Sequence, residues 1–146
     1  MGFKEIFDDS GTFPAGEWLQ KLCDGIIKNE YNKYVDFGCN MRFNALNEED
    51  FAALSKAGFR MLLWGLESAN QTTLDKLQKN YTVKDIKYDL AMAHKYKLQS
   101  HLTCMFGYYW ESYEDALRTV KIVKTLFRKG WADSAQATIC IPYTIT

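Results

Sequence analysis

The chain has 146 residues, 47% of them hydrophobic and 25% charged, a composition that excludes a disordered segment and suits one globular unit. Eighteen basic residues cancel eighteen acidic ones, which leaves no basic footprint for nucleic acid and no polybasic patch for a membrane. No run is apolar enough to span a bilayer, and no apolar stretch follows Met1-Gly2-Phe3-Lys4-Glu5 as in a signal peptide, so a cytoplasmic location is expected.

Strand and helix signals alternate along the chain. Residues 4–8 predict a short strand, closed by a turn over 9–14. A helix is expected over 15–30, where Trp18, Leu19, Leu22, Cys23, Ile26 and Ile27 recur at three- and four-residue steps. Residues 34–39 predict a second strand. A short helix opens at Asn47 and stops at Gly58, a residue suited to a left-handed turn. Residues 59–66 predict the third strand and 73–79 a short helix. Thr82 and Asp85 have capping-box spacing and start a helix that ends near Lys97. Residues 98–107 predict the fourth strand. Ser112 and Asp115 repeat the capping signal before a helical stripe of Ala116, Val120, Val123 and Phe127. Residues 134–141 predict the last strand.

This alternation argues for βα units in a parallel sheet. Strands have period two, so each face can be read separately. Asp36, Gly38, Asn40 and Arg42 share one face of the second strand. His101, Thr103, Met105 and Gly107 share one face of the fourth, opposite Leu102, Cys104 and Phe106. In an open doubly wound sheet both faces are covered by helices and should be apolar. One apolar and one half-polar face fits a barrel wall better. Polar residues late in the strands, Asn40, Arg42, Glu67 and Glu111, stand where parallel sheets place ligands.

Cys23, Cys39, Cys104 and Cys140 are scattered, with no CxxC or CxxxCxxC cluster, so they read as reduced, mostly buried thiols and no metal ligand is assigned. Asp8-Asp9-Ser10-Gly11-Thr12 could expose backbone groups to a ligand, or be an ordinary strand-ending turn. Gly65 would admit a ligand near the backbone and Glu67 would accept two ribose hydroxyls, or Glu67 would only complement a helix N-terminus. Glu111 would reach the lumen, or merely precede a helix capped by Ser112. His101 lies on the lumen face without a companion ligand.

Six stretches in order resemble the radical S-adenosylmethionine (radical-SAM) superfamily, in its B12-binding-associated and methylthiotransferase-like branch. They are residues 5–13, Cys39-Asn40-Met41-Arg42-Phe43-Asn44, residues 57–60 running into Gly65-Leu66-Glu67-Ser68, Thr73-Leu74-Asp75-Lys76-Leu77 with Lys79, Phe106-Gly107 with residues 111–115, and Ile141-Pro142-Tyr143. The resemblance implies an α/β fold: a partial (β/α) barrel of parallel strands with about five βα units, its N-terminal strand and cluster loop missing. Residues 1–146 would be one domain, the C-terminal portion of such a core. The intact parent would be a radical-SAM oxidoreductase or transferase that uses S-adenosylmethionine and a 4Fe–4S cluster, with cobalamin carried by a further domain. Its cofactors yield a 5′-deoxyadenosyl radical. The chain lacks the CxxxCxxC segment, so as a truncated fragment it is expected to bind no cluster and to be inactive alone, with no catalytic residue assigned.

Position by position, the resemblance implies that Asp8, Asp9, Ser10, Gly11 and Thr12 lie by the methionine amino group. Asn40 and Arg42 line the cleft. Glu67 and Ser68 lie near the ribose and carboxylate. Met105, Gly107 and Glu111 border the adenine, and Pro142 and Tyr143 form its stacking edge. The expected partner is a small-molecule cofactor, with no nucleic acid and no membrane, and with oligomerisation through an exposed sheet edge. Two other readings remain open on the residues: a barrel hydrolase or lyase with a Glu67/Glu111 carboxylate pair, and a non-catalytic module that binds through its free strand edge.

Overall fold

The computed structural model describes residues 2–141. Five strands, β1 (Glu5–Asp8), β2 (Asp36–Met41), β3 (Phe59–Glu67), β4 (Gln99–Phe106) and β5 (Ser134–Ile139), form one sheet in the order β1-β2-β3-β4-β5. Every neighbouring pair is parallel. Between them run α1 (Glu17–Lys28), a 3-10 turn (Tyr31–Lys33), α2 (Glu48–Lys56), α3 (Gln71–Lys76), α4 (Val83–Lys95) and α5 (Tyr113–Arg128). A strictly sequential parallel order with right-handed crossovers sends the helices to one face. The other face stays open as a concave wall, which is the geometry of a partial (β/α) barrel.

The predicted period-two pattern holds on β4, and β3 shows the same alternation. Leu62, Trp64 and Leu66, with Leu102 and Cys104, are buried under the helices. Leu63, Gly65, His101, Thr103 and Met105 are only half-buried on the opposite, lumen face. The core joins these strand residues to Phe51 and Leu54 of α2 and Ile86 and Leu90 of α4. Phe43, just after β2, stacks on Trp64 with ring centroids 4.8 Å apart. On the helix face a mostly apolar recess of about 480 Å³ opens between α1, β1 and β2, lined by Ile6, Leu22, Ile26 and Phe37 among others.

Local chemistry sets the helix starts. Asn47 with Asp50, Thr82 with Asp85, and Ser112 with Asp115 all form complete capping boxes, each satisfying two backbone donors. Gly58, at φ 82°, ends the α2 unit, and a Cβ there would stand 3.0 Å from the Asn32 Cβ. No helix among the described residues is long and apolar enough to cross a membrane.

Several boundaries differ from expectation. The second strand begins at Asp36, not Tyr34, because the Tyr34 and Val35 amides donate to the Tyr31 carbonyl and close the 3-10 turn. It also runs on to Met41, so Asn40 belongs to the strand. The short helix α3 spans Gln71–Lys76 because Asn70 caps it, and left-handed Gln78 and Asn80 keep Lys79 out of it.

One buried carboxylate gives the fold a pH dependence. Asp89 on α4 is 2% exposed, and its Oδ2 accepts the Asn44 backbone N–H at 2.6 Å. Burial pushes its pKa up from 3.8 to about 6, despite that hydrogen bond. A folded-state pKa raised above the unfolded value means that stability is fullest at acid pH and is lost as pH rises through 6. Asp89→Asn keeps a carbonyl to accept the N–H and drops the buried charge. It is expected to raise the unfolding free energy at pH 7.5 by about 1–3 kcal/mol, a gain that shrinks to nothing near pH 4. Urea midpoints for both proteins at the two pH values check this.

Candidate ligand cleft at the strand ends

A polar cleft of about 620 Å³ lies on the lumen side, at the carboxyl ends of β2 and β3. Its wall takes Asp9 and Thr12 from the turn after β1, Asn40, Met41 and Arg42 from the end of β2, Leu63, Gly65 and Glu67 from β3, and the loop 78–81. The volume falls within the range of small-molecule sites.

Four charges face one another there, and each is held. The Asn40 Nδ2 donates to Asp9 Oδ1 at 2.8 Å. The Arg42 Nη2 donates to the Lys79 carbonyl at 2.6 Å. Lys79 Nζ pairs with Glu67 Oε1 at 2.9 Å, and the Glu67 side chain is only 18% exposed. The Tyr81 hydroxyl donates to the Gly65 carbonyl at 2.6 Å. Burial, and then the nearby Glu67 charge, push the Tyr81 phenol well above its usual pKa, so it stays a hydrogen-bond donor.

Glu67 takes an unusual backbone. Its φ is 57°, left-handed for a residue with a Cβ, and the β3–β4 register slips between Gly65 and Glu67. Such a conformation costs on the order of 1 kcal/mol and gathers at functional sites. It folds the carboxylate back over Gly65, where a Cβ would stand 3.0 Å from Glu67 Oε1. Glycine at 65 therefore makes room for the Glu67 carboxylate.

The strand-end residues expected from the sequence divide into two groups. Asp9, Thr12, Asn40, Arg42 and Glu67 meet in the cleft. Asp8 does not: its Oδ1 accepts the Ser10 amide at 2.9 Å and the Ser10 hydroxyl at 2.5 Å, bonds that hold its pKa down. Gly11 is exposed at φ 112° within that turn. Met105 sits half-buried on the lumen face of β4, and Gly107 turns the chain out of β4 at φ 86°. Pro142 and Tyr143 lie outside the described residues.

Ser68 and Glu111 belong to a different arrangement. Glu111 Oε1 accepts the Ser68 hydroxyl at 2.8 Å and the Thr73 hydroxyl at 2.6 Å. Ser68 also touches the Thr119 hydroxyl at 3.3 Å, and Thr119 accepts the Ala69 amide at 2.9 Å. The Trp110 indole N–H reaches Thr73 Oγ1 at 3.3 Å. Glu111 thus ties the end of β3, α3 and the loop before α5 together, while Glu67 turns to Lys79. The carboxylate pair that a glycosidase-like hydrolase needs is therefore engaged with separate partners. Glu111→Ala would leave the buried Ser68 and Thr73 hydroxyls without their acceptor. A loss of about 2–4 kcal/mol in unfolding free energy is expected, read by denaturant titration, with Glu111→Gln losing less.

No protein-family model matches the chain. It is 28% identical over 142 residues to an uncharacterized methyltransferase, PH0819, of Pyrococcus horikoshii, covering 97% of this chain and 30% of that protein. The radical S-adenosylmethionine methyltransferase TsrM from Kitasatospora setae, solved with cobalamin and a [4Fe–4S] cluster bound, superposes with a TM-score of 0.72 at 16% identity, over 82% of this chain and 24% of that one. Coproporphyrinogen III oxidase (HemN) from Escherichia coli, a radical-SAM enzyme, gives 0.64 at 10% identity, over 94% and 44%. An archaeal Elp3 from Methanocaldococcus infernus gives 0.70 at 18% identity, over 95% and 37%. The chain has the radical-SAM barrel fold. It spans less than a third of the length of the curated relative and less than half of each solved chain.

The cleft offers polar groups of both signs beside an apolar wall. Glu67 offers a half-buried acceptor for vicinal hydroxyls, Asp9 an anion for an ammonium, and Lys79 and Arg42 cations for a carboxylate. Leu63 and Met41 add apolar wall. The described residues do not fit a 4Fe–4S cluster. Among them no three Cys, His, Asp or Glu side chains converge. Cys23, Cys39 and Cys104 are buried apart from the cleft, and burial pushes their thiols up to about 11, 12 and 11, the wrong direction for thiolate ligands. Lys79 and Tyr81 were not marked by any strand-end pattern. Lys79 stands in one of the stretches that carry the resemblance but has no role assigned there, and Tyr81 has only its position after the short helix that follows Glu67.

Proposed function

We propose that the cleft binds S-adenosylmethionine, and that the chain is the cofactor-binding part of a radical-SAM enzyme of the methyl-transfer type. The observation that carries this reading is the convergence of Asp9, Asn40, Arg42, Glu67 and Lys79 on one cavity at the carboxyl ends of β2 and β3. The methyltransferase relative and the fold shared with TsrM support it. When bound, S-adenosylmethionine supplies a sulfonium with activated carbon–sulfur bonds.

The residues of this chain bind and orient that ligand. Glu67 accepts both ribose hydroxyls, which fixes the sugar over Gly65. Asp9, steadied by Asn40, holds the methionine ammonium. Lys79, steadied by Arg42, holds the carboxylate and gives up its ion pair with Glu67 as the ligand enters. The ligand brings two positive groups and one carboxylate, and the cleft offers two anions and two cations. The match in sign at each group sets orientation more than affinity.

Isothermal titration with S-adenosylmethionine, S-adenosylhomocysteine and adenosine tests the reading. Saturable binding of the first two, with adenosine much weaker, is expected. Absence of saturable heat from all three would remove it.

A further inference from the structure

The loop that carries Arg42 is fastened from outside the cleft. Asn44, two residues on, has a left-handed backbone at φ 59°, and its amide donates to Asp89 on α4 at 2.6 Å. Asp89 lies 45 residues away in the chain and is 2% exposed. Its carboxylate costs stability at neutral pH, where a neutral acceptor would cost less. Between Asn44 and the cleft run two short routes. In one, Arg42 donates to the Lys79 carbonyl, and Lys79 meets Glu67. In the other, Phe43 packs edge-on against Tyr81 at 5.3 Å, and Tyr81 holds the Gly65 carbonyl.

We propose that Asp89 is a positioning residue for the cleft: by accepting the Asn44 amide it sets the turn after β2, and through Arg42 and Phe43 it holds the loop 78–81 in the geometry where Lys79 faces Glu67. The loop it controls is also held to α3, where the Gln78 and Lys79 amides donate to the Asp75 and Leu74 carbonyls and Gln71 Nε2 donates to the Tyr81 carbonyl. Gln78 and Asn80 are both left-handed, at φ 53° and 56°. Its ties to the sheet are the Arg42 bond to its backbone, the Lys79–Glu67 pair and the Tyr81 hydroxyl bond to Gly65. Without the Asp89 acceptor, Asn44 has less reason to stay left-handed, and Arg42 loses its fixed origin.

Hydrogen exchange on the 146-residue chain tests this without any ligand, and so separately from the cofactor reading on which only the ligand's identity rests. Asp89→Ala is expected to speed exchange about tenfold or more both at residues 43–46 and at residues 78–81, although the second segment contains no partner of Asp89. Asp89→Asn, which keeps an acceptor, is expected to restore both. If S-adenosylmethionine binds the parent chain, Asp89→Ala should weaken it about tenfold, with the thermal midpoint of the Asn variant serving as the folding control. Faster exchange confined to residues 43–46 would overturn the proposal, as would unchanged affinity in an Asp89→Ala chain that has lost protection at both segments. Coupled exchange in a chain that binds no S-adenosylmethionine would sink the cofactor reading and leave the role of Asp89 standing.

Discussion

Replacing Trp64 by alanine is expected to remove about 3–5 kcal/mol of unfolding free energy, among the largest single-residue losses the chain can show. Trp64 is fully buried on the helix face of β3, stacked on Phe43 at 4.8 Å and on Phe51 at 6.5 Å. Its removal opens a cavity between the sheet and α2 and also undermines the Phe43 turn. Trp64→Phe separates the two contributions. The indole N–H has no hydrogen-bond partner among the described residues, and an unpaired buried donor costs about 1–3 kcal/mol. Phenylalanine drops that donor while keeping most of the stack, so a net change below about 1.5 kcal/mol is expected. Denaturant midpoints for the three proteins, with unchanged slopes, are the check. A Phe variant as unstable as the Ala variant would mean that the indole is bonded after all.

Glu67→Ala is expected to weaken S-adenosylmethionine binding about 10- to 100-fold while shifting stability by no more than about 1 kcal/mol. The two effects part because Glu67 does little for the fold. Its ion pair with Lys79 joins two partly exposed side chains. Its left-handed φ would be no cheaper for alanine than for glutamate. The ligand, in contrast, would lose the acceptor for two hydroxyls, and a hydrogen bond to a charged acceptor contributes about 1.5–3 kcal/mol. Glu67→Gln, which keeps one acceptor oxygen, should fall between. Titration calorimetry beside thermal melts would show it. Equal losses of binding and stability would mark Glu67 as a structural residue.

The parts of this site that were legible in the sequence are those governed by strand period. Asn40 and Arg42 are two residues apart and so share a face, and Glu67 is a polar residue at the end of an apolar strand, although its left-handed backbone, not alternation, sets where its carboxylate turns. Three helix starts were equally legible, at Asn47, Thr82 and Ser112, each with Asp three positions on, whereas those of α1 and α3, expected at residues 15 and 73, stand at Glu17 and Gln71. The resemblance to the radical-SAM core was likewise legible in the order of the strand-end stretches, and the fold agrees with it.

The rest depended on long-range geometry. Glu111 has the same polar, strand-end signature as Glu67, yet its partners Ser68 and Thr73 stand 43 and 38 residues away. The loop after Gly107 folds back, with the Glu111 amide on the Tyr108 carbonyl, and carries the carboxylate to them. Asp8 differs in the opposite way: its carboxylate is bonded two residues away, by Ser10 within the same turn, which no strand pattern shows. Lys79, quoted in a resembling stretch and expected at the end of a helix, has no site role in the sequence reading, because two left-handed residues, and no periodic pattern, aim it at Glu67.

An amide-resolved NMR titration of the chain with S-adenosylhomocysteine tests the cleft most directly. Saturable shifts gathered at residues 9–12, 40–42, 65–67 and 78–81, and reduced in Glu67→Ala, are the result expected. Shifts centred instead on the apolar recess around Ile6, Leu22 and Phe37, or no saturable shift at all, would contradict the claim that these strand ends form a binding site.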